Sequence, residues 1–163
     1  MIKPTPDFLQ ILRVLVRHDV EFVIVGGVAA VLQGVPVTTA DLDIVHRRSE
    51  ANVARLLAAL EDLAAHSRLD SRGLRPGATH LLSAGHQLLT TNAGLLDLLG
   101  ELVGQFRYED LIEGAEAIQV ENEAVHVLSL EKLIAIKTKL GRAKDLAVLP
   151  LIRHTLEEKR RRG

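Results

Sequence analysis

The sequence predicts an α/β (α+β) fold, a small mixed β-sheet with flanking helices and a helical C-terminal part. Short runs rich in β-branched or leucine residues (21–25, 41–46) alternate with segments of helical periodicity. Two further pairs of such runs are split by turn residues, as hairpins are. After Ser129 only helical patterns remain.

Thr5-Pro6-Asp7 reads as a helix start, with Thr5 as cap and proline at the first helical position. Phe8, Leu9, Leu12, Leu15 and Val16 then share one helical face. Residues 21–25 are short, β-branched and bounded by glycine, hence a buried strand. Residues 27–32 form a short helix closed by Gly34 and Pro36, and residues 41–46 form the second strand. Ser49 caps a helix over 50–66 with Leu56, Leu60 and Leu63 at helical spacing. Residues 67–78 read as a loop with two glycines, one proline and three arginines. Strands 87–91 and 95–99 join through Asn92-Ala93-Gly94, and strands 117–120 and 125–128 through 121–123. Ser129 caps a helix to Leu140, Gly141 closes it, and a last helix covers about 143–159, where Pro150 is expected to kink or divide it. The terminal EEKRRRG reads as a solvated end.

At 163 residues the chain suits a single domain, with a core over about 5–128 and a helical segment over about 129–160. Hydrophobic residues make up 47%, but there are three Phe, one Tyr and no Trp, so the core is aliphatic and the composition counts against nucleic-acid binding through aromatic stacking platforms. A formal charge of −1 excludes a globally basic phosphate-binding surface. No cysteine is present for a disulfide or thiolate site. There is no signal-peptide pattern and no run near the roughly 18 apolar residues of a membrane span. The expectation is a soluble cytoplasmic protein without a membrane partner.

The chemistry concentrates in GGVAAVLQGVPVTTADLDIV, residues 26–45. Residues i and i+2 of a strand point to one side, with Cα atoms about 6.5–7 Å apart. Asp41 and Asp43 therefore project together while Leu42 and Ile44 pack behind them. Two carboxylates this close raise one another's pKa unless a cation lies between them. Mg²⁺ (or Mn²⁺) is the natural candidate, because it takes hard oxygen ligands and is shared with substrate phosphates. A two-ion site wants a third carboxylate. Asp97, a lone acid in Gly94-Leu95-Leu96-Asp97-Leu98-Leu99, is either that ligand or an edge-strand charge. Gly26-Gly27, between strand and helix, would let backbone N–H groups approach a phosphate, though such a pair alone is often only a tight turn.

These residues resemble the nucleotidyltransferase superfamily with the DNA-polymerase-β-type fold. The match is a hydrophobic strand and Gly-Gly (Val23 to Gly27), then the acid–hydrophobic–acid strand Asp41-Leu42-Asp43, with Asp97 as a later third carboxylate. KTKLGRAKDLAVL (137–149) resembles a segment of the abortive-infection toxin-type members, and the whole resemblance runs from about residue 8 to 152. It implies Mg²⁺-dependent transfer of a nucleoside monophosphate from an NTP to a hydroxyl of a tRNA, a protein or a small molecule, within a toxin–antitoxin pair for that branch. Asp41 and Asp43 would bind the ions, and Asp97 would assist the attacking hydroxyl, as a base or through the metal. Gly26 and Gly27 would seat the triphosphate with Thr38 or Thr39 hydrogen-bonding nearby. Lys137, Arg142, Lys144 and Asp145 would complete the nucleotide site. Read only as residues, the basic positions also fit a solvated helix face, and Gly141 interrupts the register of Lys137 and Lys144. Val37 stands where related sequences often carry a basic residue.

The competing patterns fail on spacing. GGVAAVLQG is not G-x-G-x-x-G, there is no G-K-[S/T], and no Gly-x-Ser-x-Gly surrounds Ser83. The seven histidines form no i, i+4 metal pair, and His46 reads as a surface residue at a strand end. The remaining alternative is a catalytically idle member of the same fold acting as a binding or regulatory module.

Overall fold

The computed structural model describes residues 6–163; the expected Thr5 cap lies outside the described residues. The first helix, α1 (Phe8–Arg17), is capped by Asp7, whose carboxylate accepts from Gln10 N at 3.0 Å. It leads into β1 (Phe22–Val25), whose four residues are all buried, then α2 (Gly26–Leu32) and β2 (Asp41–His46). Next come α3 (Glu50–Asp62), capped by Ser49, the two-residue β3 (His66–Ser67) and α4 (Ala78–Leu82). The hairpin β4 (His86–Thr91) and β5 (Gly94–Leu99) is followed by α5 (Tyr108–Ile112) and a second hairpin, β6 (Glu116–Val120) and β7 (Glu123–Val127). The chain closes with α6 (Leu130–Leu140), capped by Ser129, and α7 (Ala143–Arg162).

The seven strands form one mixed sheet in the order β3-β4-β5-β2-β1-β7-β6. β2 and β1 lie at its centre, with β2–β5 and β1–β7 parallel and the other pairs antiparallel. Aliphatic residues fill the core, among them Ile11, Leu15, Ile24, Leu42, Ile44 and Leu56, each fully buried. Burial of each stabilises the fold by about 1.5–3 kcal/mol.

Three helix ends explain where the sequence misleads. At α1, α2 and α3 the chain turns back through paired bonds: Val20 N to Leu15 O with Asp19 N to Val16 O, Val35 N to Ala30 O with Gly34 N to Val31 O, and Ala65 N to Leu60 O with Ala64 N to Glu61 O. Each needs one residue in the left-handed region, occupied by Asp19 (φ 56°), Gly34 (φ 96°) and Ala64 (φ 50°). Only one of the three is glycine. The helix expected to reach residue 66 therefore stops at Asp62, and His66–Ser67 pair with Thr90 and Leu89 as an edge strand. The stretch 67–78 is otherwise irregular up to α4, which the sequence reading does not contain; nor does it contain α5. Pro150 neither ends nor divides α7, which runs through it. Its missing N–H removes one bond of a helix twenty residues long. No helix among the described residues is long and apolar enough to cross a membrane.

Candidate active site

The register of β2 against β5 decides the position of the third acid. Asp43 pairs with Asp97, and Asp41 with Leu95. Alternation along β2 puts Leu42 and Ile44 into the core on one face and both aspartates on the other. Asp97 lies on that same side: one oxygen from each of Asp41, Asp43 and Asp97 falls within 4.8 Å of the others. The edge-strand reading of Asp97 is thereby corrected, because β5 lies between β4 and β2, inside the sheet.

The crowding has an electrostatic signature. Asp43 is pushed up to about 8, first by burial, then by the charges of Asp41 and Asp97, with Arg68 opposing. Asp41 is also raised, first by burial and then by the adjoining Asp97 carboxylate. Asp43 Oδ1 is buried with no hydrogen-bond partner. An orphaned buried carboxylate oxygen beside two more carboxylates is a hard-oxygen donor set that fits Mg²⁺ or Mn²⁺.

The glycine turn sits against this cluster. Gly26 has φ +67°, and a Cβ there would lie 2.3 Å from Asp43 Oδ2. A Cβ on Gly27 would lie 2.6 Å from Thr39 Oγ1. Both residues are glycine because the acids and Thr39 occupy the space a side chain would need. Thr39 donates its hydroxyl proton to Asp41 O at 3.0 Å, so in this structure it buttresses the turn between the two motifs.

The C-terminal helices supply the other wall. Gly141 (φ 61°) separates α6 from α7, so Lys137 and Lys144 lie on different helices rather than one continuous face. Both nevertheless line the same cavity as Gly26, Gly27, Thr39 and the three acids. Asp145, 1% exposed, ties the two helices together: Arg142 Nε donates to it at 2.5 Å and Lys137 Nζ at 3.3 Å. Arg142, then Lys137, hold its carboxyl below the usual range. Lys137 is half-buried and Asp145 buried, whereas Arg142 and Lys144 stay exposed, as a solvated face would leave them. The cavity measures about 720 Å³, and its wall beside Asp97 is formed by His86, Leu88, Leu99, Leu102 and Val103. Val37 lines it as well.

Two residues stand otherwise than the sequence suggests. His46 is 1% exposed, not a surface residue; its Nε2 lies 2.7 Å from Leu81 O, and burial lowers its pKa. The opposite alternation from Asp43 sends it to the core face. Arg68, inside the stretch read as a loop, reaches over β4: its guanidinium donates to Leu89 O at 3.0 Å and to Asp97 Oδ1 at 2.7 Å. Only the neighbouring order β3-β4-β5 puts it there, and one arginine among three in a glycine-rich run gave no sign of it.

Residues 7–145 match the family model described as Aminoglycoside-2''-adenylyltransferase. Among solved structures, the crystal structure of ANT(2")-Ia in complex with adenylyl-2"-tobramycin is similar over 93% of this chain and 89% of that one, at 19% identity and a TM-score of 0.60. The solution structure of the antibiotic-resistance factor ANT(2'')-Ia is similar over 91% and 82%, at 16% identity and a TM-score of 0.58. A Thermotoga maritima protein taken to be a nucleotidyltransferase is similar over 93% and 91%, at 22% identity and a TM-score of 0.57. At these identities the structures show a shared nucleotidyltransferase fold. No sequence among the curated proteins matches.

Proposed function

The chain belongs to the aminoglycoside-2''-adenylyltransferase family of nucleotidyltransferases, and from that premise we propose that it transfers the adenylyl group of ATP to a hydroxyl of a small molecule of aminoglycoside type. The observation that carries the reading is the convergence of Asp41, Asp43 and Asp97 within 4.8 Å, against a glycine turn that leaves them room. Asp41 and Asp43 would hold Mg²⁺ with Asp97 as third ligand; the bound ion would screen the phosphate charge and polarise the α-phosphate.

This chain's own residues do the remaining work. Gly26 and Gly27 let the triphosphate approach the backbone, and Lys137, Arg142 and Lys144 face its charge from the helical side. Asp145 fixes Lys137 and Arg142 in place. The acceptor lies on Leu88, Leu99, Leu102 and Val103, which turns its hydroxyl toward Asp97. That oxygen bonds to the α-phosphorus as the bond to the α,β-bridging oxygen breaks. Pyrophosphate leaves, and the hydroxyl proton passes to the Asp97 carboxylate. The apolar wall also excludes water that would compete with the acceptor.

A small-molecule acceptor is favoured over tRNA or a protein, because the family is one of antibiotic adenylyltransferases and the chain has no globally basic surface. Nothing in the fold or the family match supports an antitoxin partner. The test is incubation with α-labelled ATP, Mg²⁺ and tobramycin, with the small-molecule and macromolecular fractions of a lysate alongside. Label on the small molecule, lost in Asp41→Ala, supports the reading. Label confined to macromolecules overturns the acceptor class, and equal label in both proteins overturns the enzyme.

A further inference from the structure

Arg68 is the only cationic side chain that the structure brings into an ion pair with the carboxylate cluster among the described residues. Its bond is one-sided. The guanidinium is anchored at Leu89 O and reaches a single oxygen, Oδ1, of Asp97, at 2.7 Å. Its own backbone N–H is fixed to Leu88 O at 2.9 Å, so both ends of the residue are held by β4. Asp97 is 7% exposed, and its Oδ1 is partnered by this contact. Asp43 Oδ1, in contrast, is buried without any partner.

The two ends of the cluster therefore differ. We propose that Arg68 is a built-in counter-ion that keeps Asp97 out of the first cation's coordination, so that the nucleotide-free protein takes up its first divalent cation through Asp41 and Asp43 alone. This rests on the metal-dependent reading above. The charges agree with it: with all three carboxylates ionised, as a bound cation requires, they and one guanidinium carry a net charge of −2, which one divalent ion neutralises. A second ion then has no electrostatic reason to enter until a nucleotide brings further negative charge. Arg68 is a positioning residue in this scheme. It is not among the residues that line the cavity, and acts by holding Asp97 for the later step.

Calorimetric titration of the nucleotide-free protein with Mn²⁺ tests the inference, using wild type, Arg68→Met, Asp97→Asn and the double variant. Arg68→Met frees Asp97 as a ligand and is expected to tighten Mn²⁺ binding roughly ten-fold. Asp97→Asn is expected to change affinity less than about three-fold with Arg68 present, and to cancel the gain in the Arg68→Met background. Arg68→Lys, which keeps the charge, is expected to stay near wild type. Unchanged or weaker binding in Arg68→Met overturns the inference. So does a loss in Asp97→Asn alone as large as that in Asp43→Ala, a comparison that needs no change at Arg68. Mn²⁺ uptake unaffected by Asp41→Ala and Asp43→Ala points instead to failure of the metal site itself, and absence of uptake in every variant removes both.

Discussion

Gly26 and Asp43 are packed so closely that a methyl group on the glycine would stand 2.3 Å from Asp43 Oδ2 and 3.1 Å from its Cγ. The φ of +67° adds a backbone cost for any L side chain. Gly26→Ala should therefore push the Asp43 carboxylate out of line and destabilise the chain by about 1–3 kcal/mol. Thermal unfolding and Mn²⁺ titration together check this. A variant with wild-type Tm and wild-type Mn²⁺ affinity would show that the contact is not tight.

Asp145 joins α6 to α7 through Lys137 and Arg142 while itself almost fully buried. Asp145→Ala leaves two cations facing each other without their shared acceptor. For a fully buried pair the loss would be about 3–5 kcal/mol. The Arg142 side chain is 54% exposed, so about 1–3 kcal/mol is expected. The nucleotide KM should rise at the same time, because Lys137 and Arg142 lose their fixed direction. Chemical denaturation and initial-rate kinetics report the two effects separately.

The raised Asp43 carboxyl gives the metal-free protein a pH dependence of definite sign. Its native value of about 8 lies above the ordinary 3.8, so the native state keeps a proton that the unfolded chain gives up. Stability from this group is complete below about 3.8 and is lost as pH rises toward 8. With chelator present, Tm should fall from pH 5 to pH 8, and Asp43→Asn should flatten that slope. A divalent ion must displace the same proton, so Mg²⁺ affinity should strengthen across this window. Equal slopes for wild type and Asp43→Asn would remove Asp43 as the titrating group.

The readable part of this molecule is the part governed by short-range rules. Asp41 and Asp43 share a face because strands alternate, and Gly26-Gly27 mark a turn because a Cβ has no room. Ser49 and Ser129 cap helices through their own hydroxyls. What stays hidden depends on strand order and on backbone states that composition does not betray. Ala64 in the left-handed region ends α3 early, and no alanine announces that. Asp97 could be an edge charge or a ligand until β5 is placed beside β2. Arg68 and His46 are set by contacts 29 and 35 residues away in the chain, and local patterns carry no trace of either.

Lys137 and Lys144 line one cavity but differ in what else they do, which separates nucleotide binding from folding. Lys137 is bonded to Asp145, whereas Lys144 is exposed and makes no ion pair among the described residues. Lys144→Ala should leave Tm within about 1 °C of wild type, as surface substitutions do. Its only cost should be a higher ATP KM. Lys137→Ala should raise KM about ten-fold, the worth of one charge-assisted bond, and also lower Tm by removing one of the two partners of Asp145. Lys137→Arg keeps the charge and should recover much of the Tm. Thermal unfolding without nucleotide, set beside KM for ATP, resolves the pair. If Lys144→Ala lowered Tm as far as Lys137→Ala, or if neither substitution moved KM, the helical wall would not be a phosphate-facing surface.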